Sequence, residues 1–222
     1  MNRISRVIAF RLYRLIPYLS IRKCMSIFSR ERVVSSLRNG AITVRTFLGK
    51  PEVFVAGYDQ STPYMRTLWR KALRQLPSAN INRVLMLGLG IGASLPEIRK
   101  RFPAALITVV DWDPVMVGLF REFYPSDAAE ILEGDAAEIV PQLSRHFELV
   151  LVDLYTGQQP AAILYKDDMV RSIAEVLTPN GFCILNAFAD LSLLSIFERQ
   201  LKHLKTWKYR YNNLALYQPR AH

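Results

Sequence analysis

The 222-residue sequence predicts an α/β protein whose main sheet is mostly parallel. Three observations lead to this prediction. Short apolar runs alternate with amphipathic segments from residue 82 onward, which is the pattern of βαβ units. Turns rich in glycine, proline or aspartate separate these segments. Half of the residues are hydrophobic, which is enough to cover both faces of a buried sheet.

The pattern is clearest in the stretch from Arg83 to Asp113, which reads RVLMLGLGIGASLPEIRKRFPAALITVVDWD. Its first apolar run, at 84–87, predicts a buried strand. An amphipathic segment at 94–102 predicts a helix, and a second apolar run at 106–110 predicts another strand. The stretch is therefore expected to form one strand–turn–helix–strand unit.

The turn of this unit is a candidate nucleoside site. Gly88, Gly90 and Gly92 lack a Cβ atom, so a ligand can approach the backbone closely. The next helix offers free N–H groups at its start, and Asp111 can accept hydrogen bonds from both hydroxyls of a ribose. Together with Ala93 these residues also satisfy the loose dinucleotide fingerprint, so the pattern alone does not name the nucleoside.

The same alternation continues to the C-terminus. The predicted elements are a helix at 114–123, a strand at 129–132, a helical stretch at 138–143, a strand at 147–152, a loop at 154–160, a helix at 161–177, a strand at 182–185, a helix at 191–204 and two strands at 207–211 and 214–218. This gives five parallel strands and a terminal hairpin. Because parallel strands end at one edge of the sheet, the glycine turn, Asp111, Asp135 and Asp153 should converge there.

The region before the glycine turn is predicted to be organised separately. Residues 41–57 alternate β-branched and aromatic residues around a Gly/Pro turn, which predicts a β-hairpin. A helix should follow to about Leu76, and a Pro-Ser-Ala-Asn stretch at 77–80 marks a boundary. We therefore divide the chain into segments 1–32, 33–78 and 79–222.

Segment 1–32 is basic. It holds +7 of the +10 net charge of the chain and has an apolar stripe at helical spacing. Two alternatives remain for residues 1–28: contact with an anionic membrane surface, or packing against the protein or a second subunit in a homodimer. No apolar run is long enough to span a bilayer. Binding to nucleic acid is not favoured, because the aromatic residues are equally explained by the apolar stripe.

Cysteine and histidine are scarce. Cys24 and Cys183 give no indication of pairing, which is typical of a reducing compartment such as the cytoplasm. The three histidines have no metal-ligand spacing, so we predict no metal site.

Several motifs together resemble one known family. RVLMLGLGIG, TVVDWDP, LEGDAAEIV, LVLVDLYTGQQPA and LTPNGFCILN are similar to the spermidine synthase-like (polyamine aminopropyltransferase) branch of the class I S-adenosylmethionine-dependent methyltransferase fold. The resemblance spans residues 57–188. It implies a Rossmann-like sheet preceded by a shortened form of the family's N-terminal β-domain.

The resemblance also implies roles for individual residues. It suggests that Gln60 contacts the thioadenosine, that Asp111 binds the ribose, and that Asp153 accepts a proton from the attacking amine. Asp135 and Ala136 would lie beside the adenine, and Pro160 would touch the nucleoside. The donor would be S-adenosylmethionine or its decarboxylated form.

The amine-binding positions of the family match less well. Ile91 stands where the family has an aspartate in the glycine loop, Thr67 where it has a histidine, and Thr156 where it has a second aspartate. A diamine is a dication and needs carboxylates or aromatic faces. The resemblance therefore implies a transferase that has largely lost its polyamine contacts.

Three hypotheses follow for function. The first is a spermidine synthase-like transferase with Asp153 as its base and an unknown small-molecule acceptor. The second is a methyltransferase that uses S-adenosylmethionine on an unidentified acceptor. The third is a non-catalytic protein that binds a nucleoside or assembles with a partner through its basic N-terminus.

Overall fold

The computed structural model describes residues 29–157 and 159–220. Its strands are β1 (Ser29–Ser36), β2 (Gly40–Phe47), β3 (Lys50–Val55), β4 (Tyr58–Ser61), β5 (Arg83–Leu87), β6 (Leu106–Asp111), β7 (Glu130–Glu133), β8 (Phe147–Val152), β9 (Tyr155–Thr156), β10 (Gln159–Pro160), β11 (Leu177–Phe188), β12 (Leu201–Tyr209) and β13 (Asn212–Pro219). Its α-helices are α1 (Pro63–Leu73), α2 (Leu95–Arg101), α3 (Pro114–Phe123), α4 (Ala136–Ile139), α5 (Asp167–Glu175) and α6 (Ser192–Gln200).

A seven-stranded sheet forms the centre of the fold, in the order β12-β13-β11-β8-β5-β6-β7. Strands β11, β8, β5, β6 and β7 pair in parallel, and β13 runs antiparallel to both of its neighbours. This confirms the predicted fold class. The five parallel strands end at one edge, where polar residues follow the apolar runs.

Each face of this sheet is covered by a separate hydrophobic cluster. On β5, Val84 and Met86 point to the face covered by α1 and α2, where Trp69 is 1% exposed. Leu85 and Leu87 point to the opposite face, which α5 and α6 cover. Successive side chains of a strand point to opposite faces of the sheet. Because both faces of this sheet are buried, every residue from Val84 to Leu87 is apolar.

The N-terminal region contains more strands than were predicted. The predicted hairpin corresponds to β2 and β3, and β1 and β4 extend it into a four-stranded antiparallel sheet in the order β1-β2-β3-β4. Its buried face, which includes Ile42 and Val53, packs on Ile91, Met116 and Leu119. Helix α3 lies between the two sheets, because Val117 on its other side contacts the central cluster.

Two of the proposed segment boundaries do not coincide with packing units. The boundary at residue 32 falls inside β1, which pairs with β2 from Ser29 to Ser36. The boundary at residue 78 does not separate packing units either, because α1, which lies in segment 33–78, packs in the same hydrophobic cluster as β5 and α2 of segment 79–222. The apolar side of α1 packs against the central sheet and not against the hairpin.

Helix ends were predicted less well in the C-terminal half. The predicted helix at 161–177 is interrupted: a 3-10 turn at Ala162–Tyr165 precedes α5, which begins at Asp167. Helix α6 ends at Gln200 and not near residue 204, because pairing with β13 starts at Leu201. The predicted loop at 154–160 contains the short β9–β10 pair.

The basic stripe at 1–28 lies outside the described residues. Within 29–157 and 159–220, no helix is long and apolar enough to cross a membrane.

Candidate active site

Two cavities open side by side at the carboxyl edge of the parallel strands. The first cavity has a volume of about 240 Å³. The second cavity has a volume of about 630 Å³. Four residues line both of them: Gln60, Gly90, Asp153 and Tyr155. Asp153 follows β8 and Gln60 lies on β4, so the junction of the cavities is where the two sheets meet.

Asp111 ends β6 and lies in the wall of the first cavity. Its two carboxylate oxygens accept hydrogen bonds from the backbone N–H groups of Leu89, at 2.7 Å, and Asp113, at 3.0 Å. Burial raises the pKa of Asp111 to about 6, although these backbone hydrogen bonds act in the opposite direction. The carboxylate is therefore fixed in orientation and poorly hydrated.

The next acidic residue, Asp113, has a structural role. It is fully buried and accepts hydrogen bonds from Ser36 Oγ and Asn39 Nδ2, each at 2.6 Å. It also caps α3 through the N–H of Val115. Asp113 thus ties the β1–β2 turn to the central domain and places Asn39 in the wall of the first cavity.

The glycine turn is shaped mainly by contacts within the protein. A Cβ on Gly88 would lie 2.2 Å from the carbonyl oxygen of Asp153, and one on Gly90 would lie 2.8 Å from that of Gln60. A Cβ on Gly92 would lie 2.7 Å from the ring of Phe120. All three glycines have positive φ. Gly88 and Gly90 line the first cavity, whereas Gly92 lines neither cavity.

The N–H groups that follow the glycines are also occupied. Ser61 Oγ accepts hydrogen bonds from the N–H of Ile91, at 3.3 Å, and of Ala93, at 3.2 Å. The N–H groups in the first turn of α2 are occupied as well, because Leu95 donates to the carbonyl oxygen of Gly92 at 3.1 Å and Glu97 to that of Ser94 at 3.0 Å. The expectation that the start of α2 offers these N–H groups to a ligand is therefore wrong. Ser61 ends β4, so its hydroxyl joins the N-terminal sheet to the glycine turn.

Of the other residues predicted to contact the nucleoside, some line the first cavity and one does not. Asp135 and Ala136 line the first cavity, where Asp135 also caps α4 by accepting from the N–H of Ala137 at 2.8 Å. Gln60 donates to the carbonyl oxygen of Gly157 at 3.4 Å. Pro160 is buried, pairs with Tyr155 in the β9–β10 hairpin and lines neither cavity.

Asp153 is held by two donors from distant parts of the chain. Trp69 Nε1 donates to one carboxylate oxygen at 3.0 Å, and Asn186 Nδ2 donates to the other at 2.8 Å. Burial raises the pKa of Asp153, while these two hydrogen bonds act to lower it. One donor comes from α1 and the other from β11, so each oxygen is fixed by a different element.

A chain of hydrogen bonds continues from Asn186 behind the second cavity. Asn186 is 2% exposed, and its Oδ1 accepts from Asn212 Nδ2 at 2.9 Å. Asn212 in turn accepts from the hydroxyl of Tyr64. The hydroxyl of Tyr155 also contacts Asn186, because it donates a hydrogen bond to the backbone carbonyl oxygen of Asn186 at 2.6 Å. These contacts fix Asn186, which fixes Asp153.

Trp69, Asn186 and Asn212 were not singled out from the sequence. The sequence did contain a signal for Asn186. Asn186 directly follows the apolar run of β11, in the same way that Asp111 follows the apolar run of β6, so it could have been predicted at the same edge of the sheet. No such signal existed for Trp69, because its helical spacing indicates a core residue and its indole N–H reaches Asp153 only in the folded chain. Trp112, which lines the first cavity under Arg38, was also missed, although it directly follows Asp111 at the end of β6.

The three positions linked to amine binding lie apart from one another. Ile91 is fully buried against the N-terminal sheet. Thr156 lines the first cavity, and Thr67 lines neither cavity. In the described part of the chain, no three His, Cys, Asp or Glu side chains lie close enough together to hold a metal ion.

Comparison with known proteins places this chain in a family. The spermine/spermidine synthase domain matches residues 63–219. The polyamine aminopropyltransferase of Neisseria meningitidis is 25% identical over 207 residues, which cover 85% of this chain and 76% of the relative. That of Sulfolobus acidocaldarius is 26% identical over 133 residues, which cover 55% of this chain and only 44% of the relative.

Solved structures show the same fold. Spermidine synthase from Thermotoga maritima superposes with a TM-score of 0.61 at 17% identity, covering 84% of this chain and 72% of that chain. The N-methyltransferase NodS from Bradyrhizobium japonicum superposes with a TM-score of 0.57 at 16% identity, covering 72% of this chain and 98% of that chain.

Proposed function

Because the chain belongs to the spermine/spermidine synthase family, we propose that it is a transferase that binds an S-adenosyl nucleoside in the first cavity and an acceptor in the second. The observation that carries the proposal is the position of Asp153, which lines both cavities. A base at this junction faces the carbon that is transferred and the nitrogen that attacks it.

The first cavity suits the nucleoside half. Asp111 offers a fixed carboxylate to the ribose hydroxyls, and Asp135 and Ala136 lie in the same wall. Gly88 and Gly90 leave the floor free of side chains. A nucleoside whose sulfonium lies at the junction would reach Gln60 and Asp153, so the reacting carbon would lie beside the base.

We propose aminopropyl transfer from decarboxylated S-adenosylmethionine as the reaction. The nitrogen of the acceptor amine forms a C–N bond to the propyl carbon while the C–S bond breaks. The bonding electron pair goes to the sulfur, which leaves as the thioether methylthioadenosine. Asp153 takes the proton that the new secondary ammonium releases, and most of the remaining catalysis is positioning.

The raised pKa of Asp153 supports its role as a base. A carboxylate with an ordinary pKa is too weak a base to take a proton from an amine efficiently at neutral pH. Burial raises the pKa of Asp153, which is the useful direction, while the hydrogen bonds from Trp69 and Asn186 act to lower the pKa and orient the carboxylate. The two effects together favour an oriented carboxylate at the site of attack.

Methyl transfer is the second candidate. It is favoured by the placement of Ile91, which is buried in the core and cannot contact an amine in the second cavity. A methyltransferase would use S-adenosylmethionine, and the by-product would be S-adenosylhomocysteine. The two candidates therefore differ in the donor they bind and in the product they release.

One set of measurements tests both. Calorimetry with S-adenosylmethionine, its decarboxylated form and methylthioadenosine should show the decarboxylated donor binding more tightly than S-adenosylmethionine. With decarboxylated donor and an amine, Asp153→Asn should abolish release of methylthioadenosine while binding of the nucleoside persists. Release of S-adenosylhomocysteine from S-adenosylmethionine would favour methyl transfer, and binding of none of the three nucleosides would refute the whole proposal.

A further inference from the structure

Tyr155 is one of the four residues that line both cavities, and its hydroxyl is already occupied. The hydroxyl donates to the backbone carbonyl oxygen of Asn186 at 2.6 Å. Burial raises the pKa of this hydroxyl, so it stays protonated and remains a donor. The part of Tyr155 that is left to meet a ligand in either cavity is therefore its aromatic ring.

A neighbouring aromatic residue fixes the orientation of this ring. Phe188 lies with its ring centre 6.3 Å from that of Tyr155, and the two ring planes meet at 85°. Phe188 has a φ of 47°, which is uncommon outside glycine. Its N–H donates to Asn186 Oδ1 at 3.2 Å, and its carbonyl oxygen accepts from Asn213 Nδ2 at 2.6 Å. Two asparagines thus hold the backbone conformation that places Phe188 against Tyr155.

The charged side chains that line the first cavity are all acids. Among the described residues its lining includes Asp111, Asp135 and Asp153 and no Lys, Arg or His. The guanidinium of Arg38 packs on the ring of Trp112 at 4.9 Å and does not itself line the cavity. A cleft lined by charges of one sign attracts a ligand of the opposite sign, so this lining suits a ligand that carries positive charge.

The ring of Tyr155 and the carboxylate of Asp153 together suit a cation at the junction of the cavities. The face of an aromatic ring attracts a cation that lies over it, and the attraction is stronger where water is excluded. In the proposed reaction the positive charge passes from the sulfur of the donor to the nitrogen of the acceptor. Because Tyr155 lines both cavities, its ring borders both positions of this charge.

We propose that the ring of Tyr155 binds the positively charged sulfur of the donor, so that the first cavity prefers a sulfonium nucleoside to a neutral thioether. The inference rests on the proposed binding of an S-adenosyl nucleoside, and it applies to aminopropyl and methyl transfer alike. It also gives a reason for release of the product, because the sulfur of the thioether is neutral and loses this contact.

Matched pairs of nucleosides measure the preference. Decarboxylated S-adenosylmethionine and S-adenosyl-3-thiopropylamine have the same adenosine and the same aminopropyl chain, and they differ in the methyl group that makes the sulfur a cation. S-Adenosylmethionine and S-adenosylhomocysteine differ in the same way. Calorimetry should show the sulfonium member of a pair binding more tightly, by about fivefold to thirtyfold.

Variants of Tyr155 assign this preference to the ring. Tyr155→Leu should lower the ratio of the two affinities by about fivefold or more, whereas Tyr155→Phe keeps a ring and should retain the ratio. Tyr165→Leu is the matched control, because Tyr165 is an exposed tyrosine that lines neither cavity. An unchanged ratio in Tyr155→Leu, or an equal fall in Tyr155→Phe, would overturn the inference.

Fluorinated rings test the same contact without removing bulk, so this test does not depend on whether Tyr155→Leu folds. Phenylalanine, 4-fluorophenylalanine and 3,5-difluorophenylalanine in place of Tyr155 are close in size, but each fluorine withdraws electrons from the face of the ring. Affinity for the sulfonium nucleoside should fall stepwise along this series, and affinity for the thioether should stay constant. Equal affinity of the sulfonium nucleoside for all three rings would contradict the proposal.

These results separate the inference from the proposed function. If the nucleosides bind but the preference does not depend on the ring at position 155, the inference fails and the proposed nucleoside site stands. If no nucleoside binds, the proposed function fails and the inference falls with it.

Discussion

Single side chains at the junction of the two cavities determine what chemistry the fold can support. In the proposed function Asp153 is the base, and Trp69 and Asn186 each donate a hydrogen bond to one of its oxygens. Asp111 is the proposed acceptor for the ribose hydroxyls, and the backbone N–H groups of Leu89 and Asp113 fix its carboxylate. In both cases the acid is oriented by donors that belong to other elements.

The assignment of Asp111 to the ribose predicts a loss of binding in Asp111→Ala. Nucleoside affinity should fall by about 1.5–3 kcal/mol, the range for hydrogen bonds to a charged group. Calorimetry on the folded variant measures this. Asp168→Ala is the control, because the Asp168 side chain is 87% exposed on α5. This variant should bind the nucleoside with the affinity of the unchanged protein. Equal affinity in both variants would remove Asp111 from the site.

The pKa of Asp111 also predicts how binding depends on pH. The ribose hydroxyls donate to the ionised carboxylate, so the bound nucleoside favours the ionised form. Because the pKa in the free protein is raised to about 6, affinity should be constant above that pH and weaken below it. The loss should approach about tenfold for each pH unit. Calorimetry between pH 5 and pH 8 tests this, and a flat profile in that range would contradict it.

Trp69 is predicted to act through Asp153. In Trp69→Phe the ionised form of Asp153 loses one hydrogen bond, so its pKa should rise. The acidic limb of the pH–rate profile should move upward by about 1 pH unit, and kcat should fall. Trp207→Phe is the matched control, because the indole N–H of Trp207 has no hydrogen-bond partner among the described residues. The same shift in both variants would indicate a general structural effect.

At the scale of elements, the glycine turn follows β5 and lies against the ends of β4 and β8. Gly88 lies against the end of β8, and Gly90 lies against the end of β4. Ser61 then binds the N–H groups that follow. These contacts bring Gln60 and Asp153 to the same junction, so the glycines serve the site by bringing strands together as well as by leaving space for a ligand.

This predicts opposite effects for two glycine substitutions. Gly88→Ala should destabilise the fold by about 1–3 kcal/mol from its positive φ, with a further loss from the contact with Asp153. Gly118→Ala should stabilise it by about 0.5–1 kcal/mol, because Gly118 lies within α3 and a Cβ there meets nothing. Denaturant unfolding measures both, and equal effects would contradict the packing described.

At the scale of the whole molecule, the N-terminal sheet is joined to the central domain through two sets of contacts. Ser36 and Asn39 bind Asp113, and the buried face of the sheet packs on α3. The sheet also supplies Gln60 and Asn39 to the walls of the cavities. It is therefore part of the site, and β1 belongs to it from Ser29 onward.

Two truncations test where the separable segment ends. A chain that starts at Ser29 keeps all of β1 and should fold and bind nucleoside. A chain that starts at Val33 loses four residues of β1 pairing and the contact between Arg32 and Glu122, so it should have a lower midpoint of unfolding. Thermal unfolding and calorimetry distinguish them. Failure of the Ser29 chain to fold would show that residues 1–28 are needed for the fold.

Local periodicity determined much of the fold in advance. Apolar runs with a period of two and amphipathic runs at helical spacing identified β5, β6, β8 and α3 with ends within a residue or two. The acids that end those strands followed from the same runs, because parallel strands share one carboxyl edge. Asp111 and Asp153 were therefore predictable as neighbours at one edge of the sheet, and both line the first cavity.

Tertiary packing decided the rest. Trp69 and Asn186 both donate hydrogen bonds to Asp153, but they lie 84 and 33 positions away from it in the sequence. No local sequence pattern can therefore predict these contacts. The second cavity depends on how the β12–β13 hairpin meets α1 and β4, because residues of all these elements line it. Strand identity comes from interactions between near neighbours in the chain, whereas the partners of a buried carboxylate depend on contacts between elements that are distant in sequence.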